Sequence, residues 1–242
     1  MDWFYIILFF VALLYASVGH GGASGYLALM ALYAIAPQEM KPTALVLNLF
    51  VSLTSFIQYY RGDFFKKKLF FTVALASIPL AFIGGTISLD DNLYKKILGC
   101  LLLFPIFRFF FYRSPGQDEL KPYHLIGALV IGGVVGLLSG MIGIGGGIIL
   151  SPLLLLLKWT DQKQTAAISA AFIFVNSIAG LGGMLTQGIT FSPNMWAYIA
   201  VAFSGGIVGA YMGSKKLNQD AIKYVLATVL LLAAYKLLFT TA

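Results

Sequence analysis

Apolar stretches of about 15 to 20 residues recur along the whole chain, and that is the length a helix needs to cross ~30 Å of hydrocarbon. Each stretch is bounded by charges or by Gly, Pro or Asn, and period-two alternation is absent, so the pattern predicts helices and argues against a β-barrel. The first five run Trp3 to Val18, Ser24 to Ala36, Thr43 to Tyr60, Leu69 to Ile87 and Ile97 to Phe111. A polar segment with Pro115, Gly116, Asp118, Glu119 and Lys121 follows and reads as a surface loop. Five further stretches come after it: Leu125 to Met141, Ile148 to Leu157, Ala166 to Leu185, Met195 to Met212 and Ala221 to Phe239. The expected organisation is therefore a first membrane repeat over 1–112, a cytoplasmic linker over 113–124 and a second repeat over 125–242.

The two halves resemble each other in sequence. Val18-Gly-His-Gly-Gly-Ala23 aligns with Ile142-Gly-Ile-Gly-Gly-Gly147, Phe50-Val51-Ser52 with Phe174-Val175-Asn176, and Ala81-Phe-Ile-Gly-Gly85 with Ala202-Phe-Ser-Gly-Gly206. Gly62 likewise matches Gly188. In each half, a run of 16 or 17 residues meets a glycine-rich break and is followed by only 10 to 13 apolar residues. Ten helical residues cover only ~15 Å, so the second piece of each pair is too short to span. Short, glycine-interrupted segments at matching places in two halves point to broken, re-entrant helices forming a midplane site.

Charge adds orientation. Lys and Arg tend to stay in cytoplasmic loops. Alternating the loops puts Arg61, Lys66, Lys67, Lys68, Arg108, Arg113, Lys121, Lys158, Lys163, Lys215, Lys216 and Lys223 on one side. Only Lys41, Lys95, Lys96 and Lys236 fall on the other. The first group is expected inside, both termini outside, and the halves inverted, because the basic loop Arg61 to Lys68 and its uncharged counterpart Thr186 to Asn194 take opposite sides.

With 60% hydrophobic and 10% charged residues, and a mean hydropathy of +0.89, the chain has lipid rather than water as its main solvent. The net charge of +7 lies in short loops between apolar segments, which fits membrane orientation and not nucleic-acid binding. The first apolar run follows Asp2 and lacks a small-residue cleavage site, so it is expected to belong to the mature protein. The single cysteine, Cys100, excludes an internal disulfide and a multi-cysteine metal cluster. No cofactor or metal is expected. An enzyme is not expected either, since no metal-ligand cluster, no acid pair at depth and no nucleophile with a base is visible.

Gly19, Gly21 and Gly22, like Gly143, Gly145, Gly146 and Gly147, let the backbone turn and leave amides open where a helix begins. Two such positive helix ends facing each other would attract an anion. The alternative is that these glycines only permit a tight hairpin or close helix contact. Every Asp and Glu lies at a segment end or in a loop, which disfavours a cation carrier. His20 either donates to an anion, or takes a proton if protons are the coupling ion, or merely satisfies a neighbouring carbonyl. Asn48 and Asn176, with Ser52 and Ser177 nearby, either face the anion or act as interhelical hydrogen-bond glue. Gly132, Gly136 and Gly140, and Gly205, Gly209 and Gly213, recur every four residues and are expected to serve packing.

Val18 to Ala23 and Gly140-Met-Ile-Gly-Ile-Gly-Gly-Gly-Ile-Ile-Leu-Ser-Pro152, followed by Thr43 to Ser52 and Ala166 to Ser177, resemble the sulfite exporter TauE/SafE family over nearly the whole chain. The first half departs from the family pattern at His20 and at Ala23-Ser24, where a third glycine and a proline-ended run often occur. The resemblance implies a permease of the bacterial inner membrane for sulfur-containing anions such as sulfite, thiosulfate or sulfoacetate, in some members driven by the proton gradient. The expectation is thus an all-α secondary transporter working by alternating access, with a small anion and the lipid bilayer as partners. A homo-oligomer, a non-transporting scaffold and a carrier of another substrate class remain open.

Overall fold

A computed structural model describes residues 2–17, 19–111, 119–189, 191–215, 231 and 234–239. Among the described residues nine helices follow one another and no strand occurs. They are α1 Asp2–Ser17, α2 Ala23–Leu32, α3 Pro37–Arg61, α4 Lys67–Thr86, α5 Asp91–Phe111, α6 Leu125–Ile142, α7 Gly147–Leu156, α8 Gln162–Leu185 and α9 Met195–Lys215. The last expected stretch, Ala221 to Phe239, lies mostly outside the described residues, of which 231 and 234–239 are helical.

The apolar pattern located the helix centres, but it missed the polar first turns of α3, α5 and α8 and carried α2 to Ala36, four residues past its end at Leu32. α3 begins six residues before the expected Thr43, with Pro37 at its first turn and Lys41 and Pro42 inside it. Proline at a first helical position lacks an N–H that would have gone unpaired there anyway, so it starts a helix as readily as it ends one. α8 begins at Gln162 because Asp161 caps it: the Asp161 carboxylate accepts from the Gln164 backbone N–H at 2.9 Å, and the Gln164 side-chain Oε1 accepts from the Asp161 backbone N–H at 3.3 Å. Polar residues that read as loop are thus the watery ends of long helices.

Five helices, α3, α4, α6, α8 and most of α9 (Met195–Met212), are long and apolar enough to cross a membrane. Large apolar side chains on α4, α6 and α9 face outward, with Leu75 72%, Ile126 65% and Trp196 81% exposed, a surface that hydrocarbon solvates and water does not. The chain is a multi-pass membrane protein.

α3 and α8 pack together at the centre, with α4 against α6 and α8, and α9 against α1 and α3. Exchanging α1 for α6, α2 for α7, α3 for α8 and α4 for α9 leaves this pattern of neighbours unchanged. Glycine makes the closest approaches possible: a Cβ at Gly140 would overlap the Ala81 carbonyl on α4, and one at Gly209 the Leu13 carbonyl on α1. Gly132, Gly136 and Gly205 sit on neighbouring backbones in the same way, as their spacing led us to expect.

The ten-residue helices α2 and α7 are inside this shell. Residues 23–31 of α2 are all buried, as is nearly all of α7. An apolar helix sheathed by other helices needs no polar face, which is why neither shows one. Each ends a hairpin that leaves where it entered. The Phe4 and Tyr33 rings meet at 5.1 Å where α1 begins and α2 ends. The Lys121 N–H bonds to the Lys158 carbonyl at 2.7 Å where α6 begins and α7 ends. The first hairpin opens at the Pro37 end of α3, and its tip at Gly19 reaches Tyr59 near the Arg61 end. The second hairpin's tip, at Gly143, reaches the backbone of Lys41 near the Pro37 end.

Candidate functional site

Both breaks share their first and last turns, 124 residues apart. Gly19 (φ 77°) and Gly143 (φ 79°) turn the chain into the left-handed region at the ends of α1 and α6. The Gly19 and His20 N–H groups then reach back to the carbonyls of Ala16 and Tyr15 at 3.1 and 2.9 Å, and those of Gly143 and Ile144 both reach Ser139, at 2.9 and 3.3 Å. This closes the open carbonyls of each helix end as a Schellman-type cap does. Gly22 (φ 94°) and Gly146 (φ 77°) are left-handed again and begin α2 and α7. The first bonds of those helices run from the Tyr26 N–H to the Gly22 carbonyl, and from the Ile149 and Leu150 N–H groups to the Gly146 carbonyl. The amides before them point past the helix starts, where the helix dipole is positive.

The two breaks converge on one side chain. A Cβ at Gly21 would sit 2.6 Å from Asn48 Oδ1, and one at Gly145 would overlap Asn48 Nδ2. Asn48 is fully buried in the middle of α3. Its Nδ2 donates to Ser177 Oγ on α8 over a long 3.4 Å, while Oδ1 has no partner among the described residues. Ile173 forms the wall beside both breaks, since a Cβ at Gly21, Gly145 or Gly147 would press on it. Of the residues expected from sequence, Gly21, Asn48, Gly145 and Ser177 thus meet at one point, with Gly147 against its wall. Ser52, one turn further along α3, and Ser55 beyond it carry buried hydroxyls that also lack partners. Positions 48, 52 and 55 share one helix face, so this face holds a line of unsatisfied polar atoms.

His20 faces the other half. Its Nε2 lies 2.9 Å from Ser151 Oγ on α7, and Ser151 Oγ lies 2.7 Å from Ser169 Oγ on α8. Ser151 Oγ also lies 2.7 Å from the Gly147 carbonyl, so its one proton has three candidate acceptors. The Ser151 hydroxyl therefore joins His20 on one half to Ser169 on the other. The imidazole thus contacts a hydroxyl of the other half.

The remaining expected residues are placed differently. Asn176 spends its amide on packing: its Oδ1 accepts from Ser77 Oγ on α4, and its Nδ2 donates to the Phe172 carbonyl at 2.8 Å. Gly22 lies under the Tyr26 ring and Gly146 against Phe172 and Val135, so both act through the backbone alone. Gly19 abuts Ala166, and Gly143 abuts Lys41. Sequence reading missed Ser151, whose signal was a hydroxyl inside a ten-residue apolar helix. It also counted Lys41 as a loop residue, because α3 was expected to start at Thr43. Among the described residues no three His, Cys, Asp or Glu side chains gather as a metal site.

The family described as sulfite exporter TauE/SafE matches residues 4–237. A probable membrane transporter protein of Sinorhizobium fredii is 36% identical over 97% of this chain and 96% of its own length. One of Bacillus subtilis is 25% identical over 85% of this chain and 82% of its own length. A third, of Methanocaldococcus jannaschii, is 31% identical over 56% of this chain. No solved structure matches.

Proposed function

We propose that this chain, which belongs to the sulfite exporter TauE/SafE family and is a membrane transporter rather than an enzyme, carries a small sulfur oxoanion or organosulfonate. The sulfite, thiosulfate and sulfoacetate class is meant, moved by alternating access. One observation carries this reading: Asn48 stands between the two glycine breaks with a loosely held amide, and both breaks turn open peptide N–H groups toward a helix start. An anion there takes donors from Gly21, Gly22, Gly145, Gly146 and Gly147, from the Asn48 amide and from the Ser52 and Ser177 hydroxyls. No buried cation holds it, so release is not opposed by an ion pair. The family's sulfite exporters support sulfite-like substrates.

In this reading residues 1–112 and 125–242 are inverted repeats joined by the cytoplasmic linker 113–124, of which 113–118 lie outside the described residues. The unchanged neighbour pattern and the two hairpins that reach toward opposite ends of α3 support it. Rocking one repeat against the other opens the midplane site to each side in turn. The protein belongs in a bacterial inner membrane with both termini outside, and protons entering at His20 drive transport.

Purified protein in liposomes, offered sulfite, thiosulfate, isethionate, sulfoacetate and sulfate with and without a pH gradient, tests this. Uptake of at least one sulfur anion, faster with the gradient, is expected. Movement of none, or of Na⁺ or K⁺ instead, overturns the anion reading. Cysteines introduced at Lys67 and Gly188 in a Cys100→Ser background should label from opposite sides of the membrane, and labelling from the same side contradicts inversion.

A further inference from the structure

Beside the second break, at the Pro37 end of α3, two cavities adjoin. One, of about 290 Å³, is lined by Gln38, Lys41, Ser88 and Gln187 together with apolar residues. The other, of about 240 Å³, lies where α2 ends and α5 begins, and is lined by Asp91, Lys95 and Lys236 among others. Tyr94 and Asp91 join them. The Lys41 ammonium sits 4.4 Å above the Tyr94 ring, and Gln38 Nε2 donates to Asp91 Oδ1 at 2.9 Å. Tyr94 in turn donates its hydroxyl proton to the Ile142 carbonyl at 3.1 Å, one residue before the Gly143 turn. The wall between the cavities is therefore tied to the tip of the second hairpin.

Charge in this place is unbalanced. Lys41, Lys95 and Lys236 face the cavities with Asp91 as the only acid among the described lining residues. Among the described residues none of the three makes an ion pair within 4.0 Å, and the one such pair is Lys158 with Glu119. Lys41 has lost part of its water to burial and rests on an aromatic face. Lys236 gives one N–H to the Leu32 carbonyl at 2.8 Å, which leaves two of its three donors for other acceptors. These are also three of the four lysines that loop charge assigns to the outer side, where lysine is disfavoured. Three such exceptions gathered at one mouth need a reason beyond orientation.

We infer that this lysine-lined basin is a capture site that holds a small oxoanion before it passes to the glycine breaks. The inference rests on the anion-transport reading above. Lys41 precedes Asn48 by seven residues of α3, or ~10 Å of helix, so an anion held at the basin is one short step from the midplane. Low-dielectric walls focus the field of such a cluster and raise the local concentration of anions and their rate of arrival.

The test separates capture from transport. In a Cys100→Ser background, Ser88→Cys puts a thiol on the rim of the larger cavity, since Ser88 is exposed there. An anionic methanethiosulfonate and an equal-sized cationic one then report the local potential by their relative labelling rates. The anionic reagent is expected to win by about threefold or more at low salt, with the ratio falling toward one in K41Q, in K236Q and in high salt. Sulfite uptake from the Lys41 side should show a KM about three- to tenfold higher in K41Q at unchanged kcat, and uptake from the other side should not change. A labelling ratio that K41Q and K236Q leave unaltered overturns the capture site. If the wild type labels as expected and moves none of the sulfur anions, the basin stands and the transport reading falls.

Discussion

The two glycine breaks share their first and last turns and differ in chemistry between them. Gly19 matches Gly143, Gly22 matches Gly146, and the ten-residue helices behind them start 124 residues apart. Yet the first break presents His20 to Ser151, whereas the second has Ile144, 98% hidden among apolar neighbours, at the matching position. Gly21 keeps an ordinary φ while its counterpart Gly145 is left-handed at 75°. The parts that repeat are a sharp turn and a helix start, the two features on which the proposed anion site is built. What diverged is the side chain hung on the turn, and with it the contact that links the halves.

The strongest challenge to that comparison is a Cβ at a matched turn. Gly146→Ala forces a left-handed alanine against the Phe172 ring, 2.8 Å away, and Gly22→Ala one against Tyr26, 2.6 Å away. Each should lower stability by about 1–2 kcal/mol and abolish uptake in liposomes. Gly188→Ala is the control, because Gly188 is also left-handed but has nothing within 4 Å. Thermal unfolding should show a similar strain there, with transport kept. Equal loss of uptake in all three would mean that the breaks do nothing special.

Next in size is the contrast between the two asparagines. Asn48→Ala removes a donor from the meeting point of the breaks, and a hydrogen bond to a charged group is worth about 1.5–3 kcal/mol, so the KM for the transported anion should rise roughly ten- to hundredfold. Asn176→Ala strands the Ser77 hydroxyl instead. It should cost about 1–3 kcal/mol of stability and leave KM alone. A KM effect from Asn176 as large as that from Asn48 would refute the division of roles drawn between them.

The smallest effect expected is the link between halves at His20. A double-mutant cycle with His20→Ile, which copies the second break, and Ser151→Ala should give a coupling of about 0.5–1.5 kcal/mol in thermal unfolding. If His20 also carries the driving proton, His20→Ile should flatten the response of uptake to a pH gradient, and Ser151→Ala should shift the pH at which that response is half-maximal. Uptake by His20→Ile that still follows the gradient would remove the proton from His20 and leave only the structural link.

What the sequence determined on its own is local. Runs of apolar residues fixed where helices lie, because hydrocarbon leaves a backbone few other ways to satisfy its polar groups. Glycines fixed where the helices break, because only they turn left-handed without strain. Even the duplication was legible, since matched turns need matched glycines. Pairing across the chain was not. Asn48 meets Ser177 across 129 residues, His20 meets Ser151 across 131, and Ser77 meets Asn176 across 99. Those partners depend on how each helix is rotated about its own axis. In helices buried on every side, such as α2, α7 and much of α8, apolar residues surround the whole circumference and leave no stripe from which the rotation can be read. Only the packed structure decides that Asn48 stands between the breaks while Asn176 turns away to α4.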